Sequence, residues 1–341
     1  MDRLGIALVG AGFIADYHLG GLKDVAEADV RVVASRTPEK AREVGARHGV
    51  RDATDDVSAA IRRPDVAAVI VATPDDTHEA LAVEAMRAGR AVLLQKPMAP
   101  TSSACRRILA VAAETGCDLQ VSWMHRHFEE IATARVLLAE GAVGRVISVR
   151  VRNATPGPDW GDWFFRSDVV GGGVVLQLGT HGVDLIGHLF GRIVSVSART
   201  ATLLPERRLR DGRIVPVENP DTAHAVYEVE EGPLVHHEMS MIEPAGTDRF
   251  RMEIYGAEGV LWLRTEHGLL ASRRPGDRDW TAHALPEAPL GRRQHRQWVD
   301  GLLGLRPKEA TAVDGLHSLL VAEAIARSAD RSGVLTPVEP A

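Results

Sequence analysis

Lysine is scarce in this chain. Its 341 residues include four, Lys23, Lys40, Lys96 and Lys308, against 36 arginines. Each lysine therefore invites a search for a task that needs an amine. Cysteine is scarcer still. Cys105 and Cys117 form no Cys-x-x-Cys pair, so neither a disulfide framework nor a zinc knuckle is expected, and a reducing, cytoplasmic setting fits. The net charge of −6 leaves no basic surplus and excludes nucleic acid as an expected partner. No apolar run reaches the ~18 residues of a membrane span. The first apolar run starts within a few residues of Met1 and is cut by glycines, so no leader peptide is expected. His125 and His127 point oppositely in an extended chain, and neither they nor His236 and His237 have carboxylates clustered nearby, so no metal is expected. What remains, 45% hydrophobic and 25% charged, is an ordinary globular composition, and the length calls for two domains.

The first third alternates short apolar runs with helical stretches. Residues 6–9, 30–34, 66–72, 91–94 and 119–122 read as strands, and 38–48, 55–62, 76–88 and 101–115 as helices. Strands apolar throughout and separated by helices predict a parallel, doubly wound α/β sheet over residues 1–122. After residue 123 the pattern changes. Residues 146–152, 193–200, 223–229, 234–239, 249–255 and 260–264 are short strands, several alternating apolar with polar residues. Helices are expected at 128–138, 173–190, 292–303 and 313–329. This predicts a second domain, 123–341, of α+β class with a large open, mostly antiparallel sheet. One sheet face is left uncovered; taken as apolar, it predicts a homodimer or homotetramer. The stretch 204–220, rich in Pro, Gly and charge, is the candidate flap.

The first strand runs directly into Gly10-Ala11-Gly12-Phe13-Ile14-Ala15. Gly10 permits a tight turn, Gly12 lets the backbone approach a pyrophosphate, and the small Ala15 seats the next helix, whose N-terminus favours anions. Ligands of such a sheet lie beyond the carboxyl ends of its strands. Those ends carry the glycine turn, Ser35-Arg36, Thr73-Pro74 with His78, Gln95-Lys96-Pro97 and Trp123-Met124-His125-Arg126. The second strand ends without the acid that usually holds an unphosphorylated ribose. Ser35 and Arg36 suit a 2′-phosphate, so NADP(H) is expected over the alternative, NAD(H). Lys96 is a titratable amine in a chain that otherwise uses arginine, which suits it to move a substrate proton. A second cluster lies at 171–184, where Gln177, His181 and Asp184 fall on one face of the predicted helix. Trp163 and Arg166, with Trp123, His125 and Asp184, are candidates to face a substrate.

Taken together, these motifs resemble the glucose–fructose oxidoreductase / inositol dehydrogenase / MocA family of NAD(P)-dependent oxidoreductases. The match runs from Gly-Ala-Gly-Phe-Ile-Ala at 10–15 through Ala-Thr-Pro at 72–74, His78, Lys96-Pro97, His125-Arg126, Gly171-Gly172-Gly173 and Gly-x-His-x-x-Asp at 179–184 to Val-Ala-Glu-Ala-Ile at 321–325. The resemblance implies a Rossmann domain followed by a substrate-binding and oligomerisation domain. It implies hydride transfer on a carbinol of a sugar, amino sugar or inositol-like polyol, with Lys96 and His181 catalytic and Gln177 beside them. Two positions depart from the family pattern: Gln95 stands for the usual Glu before Lys-Pro, and Gln177 for the usual Asp. Each trades a carboxylate for its amide, which weakens support for a charged relay. Two other activities stay open: a cofactor-binding regulatory protein of reduced activity, and a redox-neutral enzyme that recycles a tightly held cofactor.

Overall fold

The structure is a computed structural model and describes residues 3–167, 170–245, 249–265, 269–309 and 311–341. The chain divides into two compact units. One comprises Met1–His127 with Glu287–Leu316, the other Phe128–Pro286 with His317–Ala341.

In the first unit, strands β1 (Leu4–Val9), β2 (Ala28–Ala34), β3 (Asp52–Thr54), β4 (Ala68–Val71), β5 (Ala91–Gln95) and β6 (Leu119–Ser122) alternate with helices α1 (Ala15–Leu22), α2 (Pro38–His48), α3 (Val57–Arg62), α4 (His78–Arg87) and α5 (Ser102–Thr115). All pairings are parallel, in the order β3-β2-β1-β4-β5-β6. The order reverses between β1 and β4, which makes the loops after these two strands the switch point where ligands of such sheets bind. Residues 6–9 and 68–71 are wholly buried, as strands covered on both faces require. Helix ends follow local chemistry: Pro38 opens α2 after Thr37, and Gly49 and Gly116 close α2 and α5 in left-handed geometry.

The second unit begins with α6 (Glu129–Ala139) and β7 (Val146–Ala154) and continues through α7 (Thr180–Phe190), β8 (Ile193–Ala201), β9 (Glu206–Arg208), β10 (Ile214–Pro216), β11 (Thr222–Val229), β12 (Leu234–Ser240), β13 (Phe250–Gly256), β14 (Val260–Arg264), β15 (Leu269–Arg273) and β16 (Thr281–Ala282). The chain then runs through α8 (Arg292–Leu302), which lies in the stretch belonging to the first unit, α9 (Thr311–Asp330), whose first residues do too, and β17 (Thr336–Pro337). Nine strands form one sheet, β16-β15-β14-β13-β7-β12-β11-β8-β17. It is mixed: β7 and β12 pair in parallel and the other neighbours are antiparallel. Strand alternation puts Val149, Val151, Ala225, Tyr227, Val235, His237, Met252 and Ile254 on the buried face.

Three sequence expectations need amending. The first unit is not a single run of chain, because 287–316 returns to it. The reason is hydrophobic: Trp298 and Val299 of α8 are buried in one cluster with Ile6, Leu8, Ala15 and Leu22. The outward face of the large sheet is not apolar. It carries Arg150, Arg152, His224, His236, Glu238 and Glu253, with Arg150–Glu253 and Arg152–Glu238 ion pairs at 3.6 and 3.1 Å. The stretch 204–220 is not a plain loop. It holds the β9–β10 hairpin, whose Leu209 and Val215 pack on Phe165 in a small core of their own.

Candidate active site

The glycine turn is built as the motif predicts. Gly10 has φ 113°, and a Cβ there would lie 2.3 Å from Ala72 O, so only glycine lets the turn close against the end of β4. The Gly10 N–H donates to Ala34 O at 2.8 Å, tying the turn to β2 as well. At Gly12 a Cβ would meet nothing within 4 Å. The backbone here faces open space that a side chain would fill, and Ile14, at the cap of α1, supplies no side-chain bond to the helix N–H groups. That cradle fits a dinucleotide pyrophosphate. Phe13 stands 77% exposed beside it. At the end of β2, the Ser35 N–H donates to Thr54 O at 3.0 Å, its hydroxyl accepts from the Thr37 N–H, and Arg36 is exposed.

The loops after β4 and β5 are locked together by His78. Its Nδ1 lies 2.9 Å from Pro97 O and its Nε2 2.9 Å from Thr73 O. The sequence places His78 against cofactor; the structure sets its two ring nitrogens against carbonyls of the two loops, a neutral ring donating to one of them and a protonated ring to both, so His78 positions Lys96-Pro97 and Thr73-Pro74. Burial pushes the His78 pKa down, opposed by the Thr73 carbonyl and by Asp75. Thr77 Oγ1 donates toward Thr73 Oγ1 and Pro74 O, both at 2.7 Å. Gln95 also turns inward: its Oε1 accepts from the Lys96 N–H at 2.8 Å. Lys96 itself is half-buried after this strand end.

At the end of β6, Trp123 is fully buried and its Nε1 donates to Thr311 O at 3.4 Å. It packs the interior and does not present a face to substrate. His125 is buried, and Arg126 forms a 2.7 Å ion pair with Asp314.

In the second unit the helix predicted over 173–190 exists with an interruption. Val175–Gly179 is a π turn, and regular α-helix resumes at Thr180. Such turns occur often at functional sites. The wider turn breaks the four-residue register between Gln177 and His181, so Gln177 is half-buried while His181 and Asp184 are buried. Thr180 Oγ1 donates to Leu176 O at 2.9 Å, which satisfies a carbonyl at the turn. Trp163 stacks on Phe164 with ring centroids 3.6 Å apart, and Arg166 is exposed close by in the chain.

Beneath this helix lies a buried polar chain that sequence reasoning missed. Tyr227 Oη lies 3.0 Å from His237 Nδ1, and His237 Nε2 lies 2.8 Å from Asn153 Oδ1. Because Asn153 Oδ1 can only accept, Nε2 carries the proton, Nδ1 accepts, and the tyrosine donates. Burial pushes the His237 pKa down to about 3, so the ring is neutral. The helix sits hard on this chain: a Cβ on Gly182, next to His181, would come within 2.5 Å of His237 Cε1. The alternation of β12 signals that His237 faces inward; nothing in the sequence pairs it with Tyr227 and Asn153. Among the described residues there is no group of three His, Cys, Asp or Glu side chains placed to hold a metal.

Comparison with known proteins agrees with this geometry. Residues 4–123 match the oxidoreductase family with an NAD-binding Rossmann fold, and residues 131–262 match the GFO/IDH/MocA C-terminal domain. The chain is 30% identical to inositol 2-dehydrogenase 2 of Saccharopolyspora erythraea over 98% of its own length and 96% of that protein. It is 28% identical to levoglucosan dehydrogenase of Pseudarthrobacter phenanthrenivorans over 62% of its length, a match that spans 57% of that protein. The structure of a levoglucosan dehydrogenase in complex with NADH superposes with a TM-score of 0.91 over all of both chains at 23% identity, which is a likeness of fold. The protein described here belongs to the GFO/IDH/MocA family of NAD-binding oxidoreductases.

Proposed function

We propose that this enzyme moves hydride between a nicotinamide cofactor and a carbinol or carbonyl carbon of a sugar, amino sugar or inositol-like polyol, with NADP(H) preferred. The observation that carries the reading is the Lys96 corner: a rare lysine at a strand end of the nucleotide-binding sheet, fixed by the His78 bridge from Thr73 O to Pro97 O. When bound, the nicotinamide supplies the hydride chemistry. Gly10 and Gly12 would take its pyrophosphate, Ser35 and Arg36 its adenosine ribose, and Thr73, Pro74 and Arg126 lie on the strand-end loops that would line the rest. Lys96 Nζ and His181 Nε2 are the groups assigned to take or return the hydroxyl proton, with Gln177 orienting rather than relaying charge. The sugar and polyol class is supported by relatives named for inositol, levoglucosan and D-apiose. We assign the large sheet's charged outer face to pairing with a second copy.

The test is absorbance of reduced nicotinamide while sugars, amino sugars and inositols are offered with each cofactor. Turnover on a member of the panel is expected. Cofactor that binds without turnover of any member would favour the regulatory alternative. Light scattering should show a dimer or tetramer at micromolar concentration, and a monomer would overturn the assigned pairing.

A further inference from the structure

Gln95 removes the carboxylate that the family pattern places beside Lys96, and the structure offers another. Asp75 opens the 3-10 turn Asp75–Thr77 after β4, and β4 is the hydrogen-bonded neighbour of β5. It is 5% exposed, and its Oδ2 is buried without a hydrogen-bond partner. A buried carboxylate with an unmade bond is costly unless a charge compensates it. Burial pushes its pKa up; His78, a bond from its own backbone N–H and Lys96 favour its ionised form, and the neighbouring Asp76 opposes it.

The ordinary role for an acid at this point is to serve the start of a helix. Asp75 stands in the first turn with Asp76 but caps neither segment: the cap positions are Pro74 and Thr77, and no side-chain cap bond is made at either. An acid that only favours the helix N-terminus can stand in water, as Asp76 does, one residue on and exposed. Burying Asp75 in the loop after β4 serves no such purpose. The amide of Gln95, meanwhile, is occupied with the Lys96 N–H and holds no charge.

We propose that Asp75 is the charged partner of Lys96: a positioning residue that sets the basicity of the Lys96 amine in the role the family gives to the acid at position 95. When Nζ takes a hydroxyl proton and becomes an ammonium, the Asp75 carboxylate stabilises it; when the proton leaves, the pair returns to its starting charge. The proposal rests on Lys96 being the proton-handling group, and its test does not require a substrate.

Competitive acetylation of the full-length protein with acetic anhydride across a pH series, read by mass spectrometry, gives the protonation profile of each lysine. Lys23, Lys40 and Lys308 serve as internal references. Removing an adjacent negative charge weakens the ammonium, so Asp75→Asn should move the Lys96 profile to lower pH by about one unit and leave the other three in place. Adding Gln95→Glu to that variant should move Lys96 back. Asp75→Ser, smaller and equally uncharged, should reproduce the displacement and stands in if Asp75→Asn does not fold. A Lys96 profile in the folded Asp75 variants that overlays the native one, or moves to higher pH, overturns the inference. Native turnover in Lys96→Met would instead overturn the functional reading, whatever the acetylation profiles show.

Discussion

The two units place functional side chains by different means. In the first, the candidate groups sit in short loops at the ends of parallel strands, and backbone does much of the work: Gly10 closes the turn, Gly12 leaves space, and the Thr73 and Pro97 carbonyls hold His78. In the second, His181 rides on a helix whose path is fixed by packing, with a π turn on its N-terminal side and Gly182 pressed onto a buried Tyr227–His237–Asn153 chain. A strand-end site is specified by which residues follow the strand. A helix-borne site is specified by what lies beneath the helix. The first kind should fail one group at a time, while the second should fail when the support beneath it changes.

The largest expected effects are on turnover. General acid–base groups are typically worth ~10²–10⁴-fold, so Lys96→Met and His181→Ala should each lower kcat on that order, with cofactor binding retained. Steady-state rates and cofactor titration check both. Glycine substitutions sharpen the contrast. Gly182→Ala should cost about 1–3 kcal/mol of stability and lower turnover with it, because its methyl has no space above His237. Gly12→Ala should leave the melting temperature nearly unchanged and weaken cofactor binding, because its methyl enters open space. Thermal melts with and without cofactor separate the two. Equal stability losses at the two positions would break the comparison.

Acid should test the interiors of both units. In the first, a neutral His295 donates from Nδ1 to Gly291 O at 2.7 Å and accepts at Nε2 from His18 Nδ1 at 2.8 Å, a pair that cannot hold with both rings protonated. Burial pushes His295 down to about 4 and His18 well below its usual value. His237 of the second unit lies at about 3. These groups bind protons in the unfolded chain below pH ~6.5 and resist them when folded. The unfolded state therefore gains protons first, and stability is full above pH ~6.5 and falls by about a few kcal/mol as the pH drops toward 4. Urea unfolding at pH 7 and pH 5 measures it. His295→Gln should flatten the dependence more than His237→Gln, because it also frees His18. The smallest effect expected is on cofactor choice. Ser35→Asp should move the ratio of NADP(H) to NAD(H) affinity by about tenfold, ~1.4 kcal/mol, toward NAD(H), and Arg36→Ala should move it the same way. Equal native affinities that neither change alters would contradict the assignment.

The same division explains what was legible in the sequence. The parallel sheet, its strand ends and the glycine turn could be read because apolar runs and glycines are local signals. The backbone bonds of His78 and Gln95 could not be read from the sequence, because only the fold shows which groups lie within reach. The Gln177–His181 spacing read as one helical face because a π turn leaves no mark in hydrophobic periodicity. The return of 287–316 was missed because α8 reads as one more amphipathic helix, and only the buried cluster shows that Trp298 packs with Leu8. Asp75 went unweighed because an acid before a helix has an ordinary explanation that its burial removes.

The central claim of the proposed function is that Lys96 and His181 both serve proton transfer at the substrate hydroxyl. Single-turnover hydride transfer in Lys96→Met, His181→Ala and the double variant tests it directly. Residues that act as a unit are non-additive, so the double variant should be only slightly slower than the slower single one. Native rates in both single variants, or a double variant slowed by the full product of the two losses, would contradict it.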